Sequence, residues 1–522
     1  MARTKAVLGS GARLSDFLSA SLLARVVPAE VVHAVLNEHG RNSQRIRSFP
    51  AVAGVYYCMA LSLYPEAAYE EVFAVVAQGL AWAGGAAEPA LVRKSSISTL
   101  RSRIGSAPLR DLVLRCCVPL ANIADHPEAF YAGLRLVAVD GSCFDLPDEA
   151  GNAETFGYPG SRTSLAGHAG YPQARCVVLV ECATHAVLGA NLGPVRAGEW
   201  SLCTDLLPRL QPGMLCMADR GFNGFEQWRD ARATGAELLW RCSSTRQLPM
   251  QQRLPDGSFL SVIRPTGVGR AEATEQAITV RVIEYALPGV DDGQPRYRLL
   301  TTLLDPQQAP AMELAALYHQ RWEIEAVFDE LKTHLRQSRR VLRSKTPELV
   351  RQEFFGWVLA HYAVRWLLHQ GATLHRIPHA ELSFKGHVEL LRRAQPQSGA
   401  FPPQSGPDVA SVGSVSCSKP VPGPGPPGQS TDGRRAWSSV ETRSTLPTIE
   451  LLQPESPWTA RPDRPPARPS EPRREPRARS CGQRSALRVA FLSKRTVLGQ
   501  ALSRTLADKI QRKSRGGLCL HR

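Results

Sequence analysis

The chain has 522 residues, 63 Lys+Arg against 47 Asp+Glu, and a formal charge of +16. That length accommodates two or three domains with a large core, and no apolar run reaches the roughly 18 residues needed to cross a bilayer. The twelve cysteines include no Cys-x-x-Cys pair and the N-terminus lacks a signal-peptide pattern. These features argue against a zinc site, a disulfide framework or a membrane partner, and for free thiols in a soluble cytoplasmic protein. The charge is uneven. Residues 396–522 hold 21 Lys+Arg and 9 Asp+Glu, whereas residues 1–395 hold 42 and 38. The body of the chain is nearly balanced, so a nucleic-acid surface must be located locally.

Residues 14 to about 125 read as helical. Apolar residues recur at three and four in LSDFLSASLLARVV, PAEVVHAVLNEHG and PEAAYEEVFAVVAQGLAW, and Pro28 and Pro65 suit first helical turns. In KSSISTLRSRIGSAPLRDLVLRCC, Ser95 or Ser96 is placed to cap a helix that presents Lys94, Arg101 and Arg103 to solvent. The region is either an ordinary bundle with a solvated basic face or a DNA-binding one. Next, LRLVAVD (134–140) reads as a buried strand ending in Asp140. CVVLVECATHAVLGANLG gives two strands with a turn near Ala183 and Thr184. MLCMAD (214–219) is a further strand ending in Asp219, followed by a helix in FEQWRDARATG. Three successive strands, then a strand with a crossover helix, make an α/β sheet.

Residues 237–304 turn strand-like again, with ELLWRC, SFLSVI, AITVRVIEYAL and YRLLTTLL separated by turn sequences such as LPDGS and GVDDGQ. Helices return at 311–337 and in PELVRQEFFGWVLAHYAVRWLLHQGA, which is apolar enough to pack under the sheet. Beyond about residue 395 the pattern collapses. Residues 396–522 contain 18 of the 40 prolines, and such a composition cannot bury enough surface to offset chain entropy. A disordered basic tail follows, with one loosely helical stretch in ALRVAFLSKRTVLGQALSRTLADKIQRK.

The most informative stretch is ALYHQRWEIEAVFDELKTHLRQ, where Tyr318, Arg321, Glu325 and Lys332 stand three, four and seven residues apart. At about 100° per residue they fall within roughly a 60° arc. A core stripe would be apolar, and a solvated one has no need of a phenol. A carboxylate flanked by cations suits a metal that must also meet a phosphate backbone. Glu323 points away from the arc. Asp329 lies near it and suits a salt bridge to Lys332, three residues on.

This spacing resembles, residue for residue, the Tyr-x2-Arg-x3-Glu-x6-Lys signature of bacterial DDE transposases of the insertion-sequence-four family. Asp140 in LRLVAVDGS and Asp219 in PGMLCMADRGFNGF stand in that family's order, 79 and 106 residues apart from one another and from Glu325. Singly, Asp140-Gly-Ser reads as a turn and Asp219-Arg-Gly-Phe as a helix cap; the signature joins them into a site. The resemblance implies an α/β, RNase H-like mixed sheet with flanking helices, and Asp140, Asp219 and Glu325 as the catalytic, metal-binding triad. It implies Mg²⁺ or Mn²⁺, two ions per site, and a DNA transposase that cuts and pastes its own insertion sequence. Its partners would be double-stranded DNA, the element's terminal inverted repeats and target DNA, with a homodimer on DNA.

On this reading residues 1–128 form a helical DNA-end-binding domain carrying Lys94, Arg101 and Arg103. Residues 129–236 and 309–395 are the two parts of the catalytic core, 237–308 a β-rich insertion, and 396–522 the disordered tail. Tyr318, Arg321 and Lys332 would grip phosphates. Trp322 either packs against the sheet, the plainer account, or stacks on an extruded base. Asp145 and Asp148 read as loop residues, since their spacing does not fit a calcium loop. The abrupt change of pattern near residue 395 leaves room for an out-of-frame tail. It also leaves an alternative function, a catalytically inactive protein that binds transposon ends; a stand-alone nuclease is a third reading.

Overall fold

Strand β2 (Leu134–Asp145) is the axis of the fold, and it runs five residues beyond the expected end at Asp140. Residues 22–44, 49–84, 92–160, 170–222, 224–287, 296–335, 341–393 and 449–452 are described in this computed structural model. Most of the Pro- and Arg-rich tail, its expected helix and the question of its reading frame lie outside those residues. Among the described residues no helix is long and apolar enough to cross a membrane.

The N-terminal part is helical as expected, with α1 (Ala29–Glu38), α2 (Ala51–Leu63), α3 (Tyr69–Gly84), α4 (Lys94–Ile104) and α5 (Ala107–Cys116). Pro28 and Pro50 occupy the N-cap positions of α1 and α2. Pro65 lies outside α3, which starts only at Tyr69. Helix α4 starts at Lys94 with Arg93 at its N-cap, so neither Ser95 nor Ser96 caps it. Nearly every residue of α2 is buried, which is why its sequence is apolar on all sides.

A short β1 (Phe130–Tyr131) precedes β2, which is followed by β3 (Gln173–Glu181), β4 (Val187–Pro194), the short helix α6 (Glu199–Cys203), β5 (Met214–Ala218), α7 (Phe225–Ala233) and β6 (Glu237–Cys242). Strands β2, β3 and β4 form an antiparallel meander, and β5 and β6 lie parallel to β2. This is the strand order expected of the RNase H-like core. Strand β5 lies in the middle of the sheet and all five of its residues are buried, as its unbroken apolar run requires.

Strands of the block 237–308 continue this sheet. Strand β6 pairs with β5, and β10 (Tyr297–Thr301) pairs with β6. Strands β9 (Ile278–Ala286), β8 (Phe259–Ile263) and β7 (Gln252–Arg253) follow, so a single 11-stranded sheet has nine strands in the order β4-β3-β2-β5-β6-β10-β9-β8-β7, with two short strands paired to β2 and β9 off this path. The alternating apolar residues of each strand were legible in the sequence, but the partner of β6 was not. Residues 449–452 also depart from the expected disorder. There β11 (Glu450–Leu451) pairs with Tyr285 and Ala286 of β9, and Ile449 and Leu451 pack against the core.

Three helical elements complete the unit: α8 (Ala311–Tyr318), α9 (Glu323–Asp329) and the 29-residue α10 (Pro347–His375). Thr346 caps α10 by accepting from the Leu349 N–H, and Pro347 fills its first turn. Buried for most of its length, α10 packs against α2, α5 and β4. A β-carbon at Gly356 would lie 2.6 Å from the Cys58 carbonyl oxygen, so the α2–α10 contact depends on glycine there.

The same contact explains Arg101. Along α4, Ile97, Leu100, Arg101 and Ile104 are the buried residues, a stripe at three and four. Arg101 is only 3% exposed, not presented to solvent as the charge pattern of α4 implied. Its Nε donates to Gln352 Oε1 and its Nη2 to Ser344 Oγ, both at 2.9 Å, while Gln352 Nε2 donates back to the Arg101 carbonyl at 2.8 Å. Its donors are therefore spent inside the fold, tying the bundle to α10. Lys94 and Arg103 are exposed, as expected. Arg101→Ala is predicted to destabilise the protein by about 3 kcal/mol, the scale for breaking a buried charged network. Arg103→Ala should cost under about 0.5 kcal/mol. Urea unfolding of the two variants checks this, and equal midpoints would refute it.

Candidate active site

Strands β2 and β5 stay paired from Arg135↔Met214 to Val139↔Ala218 and then part. The next residues in the two strands are Asp140 and Asp219. Beyond Val139, β3 stays alongside β2 through Asp145↔Gln173, and among the described residues the other edge of β2 meets no strand from Asp140 until the isolated bridge Asp145↔Val341. Asp140 is therefore a mid-strand residue and not part of a turn. Its Oδ1 accepts from the Gly141 N–H at 2.7 Å. Asp219 sits just before a short 3₁₀ turn, where its sequence read as a helix cap. Its Oδ1 accepts from the Gly221 N–H at 2.7 Å, within the short 3₁₀ turn Arg220–Phe222.

The segment 311–335 was expected to form one regular helix. Instead α8 tightens into a 3₁₀ turn at His319–Trp322, relaxes into α9, and widens into a π turn at Glu330–Leu335. The predicted face nevertheless survives and lies across the ends of β5 and β2. The Tyr318 hydroxyl donates to the Ala218 carbonyl at 3.1 Å, Arg321 Nη1 donates to Asp140 Oδ2 at 2.9 Å, and Lys332 Nζ donates to Ser142 Oγ.

These contacts correct part of the expected phosphate grip. Tyr318 is 3% exposed and burial raises its phenol pKa to about 12, so it serves as a donor that fixes the end of β5. Arg321 is 6% exposed and pairs with Asp140, although its Nε is buried without a hydrogen-bond partner. Lys332 is half-buried, with its ammonium 5.1 Å from the ring centre of Phe144 and 5.8 Å from that of Phe328. Glu325 is exposed. The side chain of Trp322 lies outside the described residues. Asp329 pairs with His334 Nε2 at 3.2 Å and not with Lys332. The π turn is the reason, because i and i+5 come into line there. Asp145 is the last residue of β2 and accepts from Gln173 Nε2; Asp148, in the loop beyond, accepts from the Tyr158 hydroxyl.

Burial raises the pKa of Asp140; the Arg321 charge opposes that rise and the Asp219 charge adds to it. Glu325 is likewise raised by burial, against Arg321 and with Asp140. The two carboxylates thus occupy one electrostatic environment that resists their joint ionisation. Carboxylate oxygens such as these are the hard donors that a divalent cation takes.

Three features had no sequence signal. Glu199, the first residue of α6, lies against Gly141 of β2 and close to Gly221 in the turn after β5. A β-carbon at Gly141 would sit 2.7 Å from its carboxyl carbon, and one at Gly221 would sit 3.4 Å from its Oε2. In RAGEWS it reads only as an acid in a helix first turn. Second, buried Glu330 in the π turn accepts from Arg365 and bonds His361 Nε2 at 2.9 Å and His185 Nδ1 at 3.0 Å. His185 Nε2 reaches Glu323 Oε2 at 2.8 Å. This network pins the signature segment to α10 and to the β3–β4 turn. Third, His126, His369 and His379 bring ring nitrogens within 4.8 Å of one another. Both nitrogens of His126 already have partners, Asn122 N–H and Thr373 Oγ1, and His369 Nδ1 bonds His379 Nε2 at 2.9 Å. Hydrogen bonding accounts for most of that stack.

Comparison with known proteins agrees with this geometry. Residues 18–113 match the family described as insertion element 4 transposase N-terminal, and residues 131–363 match the transposase DDE domain. The chain is 28% identical over 334 residues to the transposase InsG for insertion sequence element IS4 of Escherichia coli (strain K12), covering 62% of this chain and 73% of that protein. It is 26% identical over 222 residues to the putative transposase InsZ of the same strain, covering 42% of this chain and 71% of that protein. The cryo-EM structure of a piggyBac transposase synaptic complex with hairpin DNA overlaps 72% of this chain and 79% of its own, at 10% identity and a TM-score of 0.37, too low to carry weight. With the helical region matching the N-terminal family and the sheet matching the DDE domain, the chain belongs to the insertion element 4 family of DDE transposases.

Proposed function

We propose that this transposase excises and reinserts its own insertion sequence, and that Asp140, Asp219 and Glu325 hold two Mg²⁺ or Mn²⁺ ions for the chemistry. The observation that carries this reading is the docking of the signature residues where β5 leaves β2, Tyr318 to Ala218 at the end of β5, and Arg321 to Asp140 and Lys332 to Ser142 on β2. A DDE domain implies divalent metal use. When bound, the ions supply an activated oxygen nucleophile and neutralise charge on the scissile phosphate. Neither ATP nor a covalent enzyme intermediate is needed.

The chain's own residues prepare that site. Backbone N–H groups hold one oxygen of Asp140 and one of Asp219, which fixes where the second oxygens point. Arg321 favours the ionised form of Asp140 against burial. On DNA binding, a phosphate can compete for this guanidinium, whose Nε is still unpartnered, and so release Asp140 Oδ2. Lys332, less buried than Tyr318 or Arg321, is the signature residue best placed to reach a phosphate. Lys94 and Arg103 remain exposed candidates for contacts outside the catalytic core, whereas Arg101 does not. Terminal inverted repeats and a two-subunit complex follow from the need to cut two ends in concert.

A strand-cleavage assay on DNA carrying the element's termini tests the reading. Asp219→Asn should lower nicking at least about a hundredfold, the scale for losing one electrostatic group at a reacting centre, while leaving end binding intact. Binding without cleavage by the parent protein would favour the inactive reading instead. Lys332→Ala should weaken end binding and lower the slope of log affinity against log salt by about one; an unchanged slope would remove Lys332 from the phosphate contacts. The carboxylates also predict a pH effect. Burial raises Asp140 and Glu325 above their unfolded values. Their contribution to stability is therefore present below the unfolded pKa and is lost as pH rises through the folded pKa. Mn²⁺, which binds the ionised forms, should raise the thermal midpoint at neutral pH. That rise should vanish as pH falls through the raised pKa values, and a pH-independent rise would contradict the assignment.

A further inference from the structure

We propose that His185 is a positioning residue for Glu325, bridging the two ends of α9 with its imidazole and so setting where that helix presents the carboxylate. The proposal rests on the assignment of Glu325 made above. His185 lies in the β3–β4 turn, 138 residues before Glu323 and 145 before Glu330. Glu323 opens α9, and Glu330 follows its last residue, Asp329. The buried ring reaches both, with Nε2 2.8 Å from Glu323 Oε2 and Nδ1 3.0 Å from Glu330 Oε1. Arg365, which pairs with Glu330, brings its Nη2 within 2.6 Å of the same Nδ1. Because Nε2 faces a carboxylate oxygen, it carries a proton and donates. One side of the ring is thus tied to Glu323 and the other to the Glu330–Arg365 pair.

Glu325 is the residue on which this tie acts. Glu323 and Glu330 are seven residues apart, about two helical turns, and so share one face of α9. Glu325 stands about 200° round the helix from Glu323, on the far face. Holding one side of α9 therefore fixes the rotation at which Glu325 leaves the other. Asp140 and Asp219 each have a backbone N–H on one oxygen. Glu325 accepts no hydrogen bond among the described residues, and its carrier is a seven-residue helix between a 3₁₀ turn and a π turn. The place of its carboxylate is then set by whatever anchors α9. His185 also holds a left-handed backbone, φ 58°, which is costly for a residue other than glycine and persists where the surroundings impose it. Glycine would remove that cost but has no ring to reach α9. Stability alone is a poor account of the Glu323 contact, since that side chain is 29% exposed, where an ion pair contributes little to folding.

Mn²⁺ affinity, read by the electron paramagnetic resonance of free Mn²⁺, tests this on the full chain without reference to catalysis. Thermal unfolding of each variant gives the stability control. Glu323→Ala should weaken Mn²⁺ by roughly tenfold, the scale for losing a group that orients a metal ligand, while leaving the thermal midpoint nearly unchanged. Glu323→Gln keeps an acceptor oxygen for Nε2 and should retain most of the parent affinity. His185→Asn tolerates the left-handed backbone but is too short to bridge α9, and it should match Glu323→Ala. The double variant should lose no more than either single one, because both act through one link. If His185→Asn fails to fold, the two Glu323 variants decide the matter. Parent-like affinity in Glu323→Ala, with loss in Glu325→Gln, would overturn the role of His185 and leave the triad standing. Equal losses in Glu323→Ala and Glu323→Gln would make the effect one of charge, and multiplied losses in the double variant would break the single link; either result overturns the proposal. Unchanged binding in Glu325→Gln would overturn the triad reading and this one with it.

Discussion

The site depends on one feature of strand pairing, the early end of β5. Because β5 leaves β2 after Val139↔Ala218, the edge of β2 from Asp140 to the bridge at Asp145↔Val341 meets no other strand among the described residues, in the middle of an 11-stranded sheet. A free edge inside a sheet must be covered or used. Here the signature segment lies across it and supplies a tyrosine, an arginine and a lysine to groups on the two strands. Antiparallel pairing with β3 keeps β2 straight through the same region, so Asp140 is held on a rigid element while its surroundings stay open.

The helix that covers this edge is not regular, and its irregularity has a physical source. Glu330 is buried in the π turn and gathers Arg365, His361 and His185 around its carboxylate. Burial holds the His361 imidazole down to about 3, so it stays neutral, and Arg365 carries the balancing charge. A buried carboxylate that lost any of these partners would be left with an unmet desolvation cost. The network therefore fixes the phase of the segment. The 3₁₀ turn before α9 winds it tighter than an α-helix and the π turn after it winds it looser, so the deviations partly offset one another between Tyr318 and Lys332. Ideal helical spacing therefore still groups Tyr318, Arg321 and Lys332, which contact Ala218, Asp140 and Ser142.

Electrostatics and architecture meet in the carboxylates. Asp140, Glu199 and Glu325 are each raised by burial, and Asp140 adds its charge to the other two. Arg321 and Arg175 moderate this at single carboxylates without removing it. The helical bundle lies on another side of the architecture, joined to the core through α10 by the Arg101–Gln352 pair and the close contact at Gly356. A basic residue there has a structural task, and its exposed neighbours Lys94 and Arg103 are the ones free to meet another molecule.

The sequence by itself determined the elements and the chemistry of the site. Apolar runs marked β2, β3, β4 and β5, and the spacing of Tyr318, Arg321, Glu325 and Lys332 marked one helical face because covalent geometry sets both periodicities. It also placed Asp219 directly after the apolar run of β5, whereas Asp140 was expected at a strand end and lies within β2. Only the tertiary structure decided that β2 continues past Asp140, that β6 to β10 extend the same sheet, and that Arg101 and Tyr318 turn inward. Each of these depends on which strand or helix lies alongside, and a partner hundreds of residues away leaves no local trace. Glu199 is the clearest case: nothing in the sequence singled it out, and its nearness to two aspartates appears only in the fold. That nearness exists because two glycines, one on β2 and one after β5, leave room for its carboxyl between them.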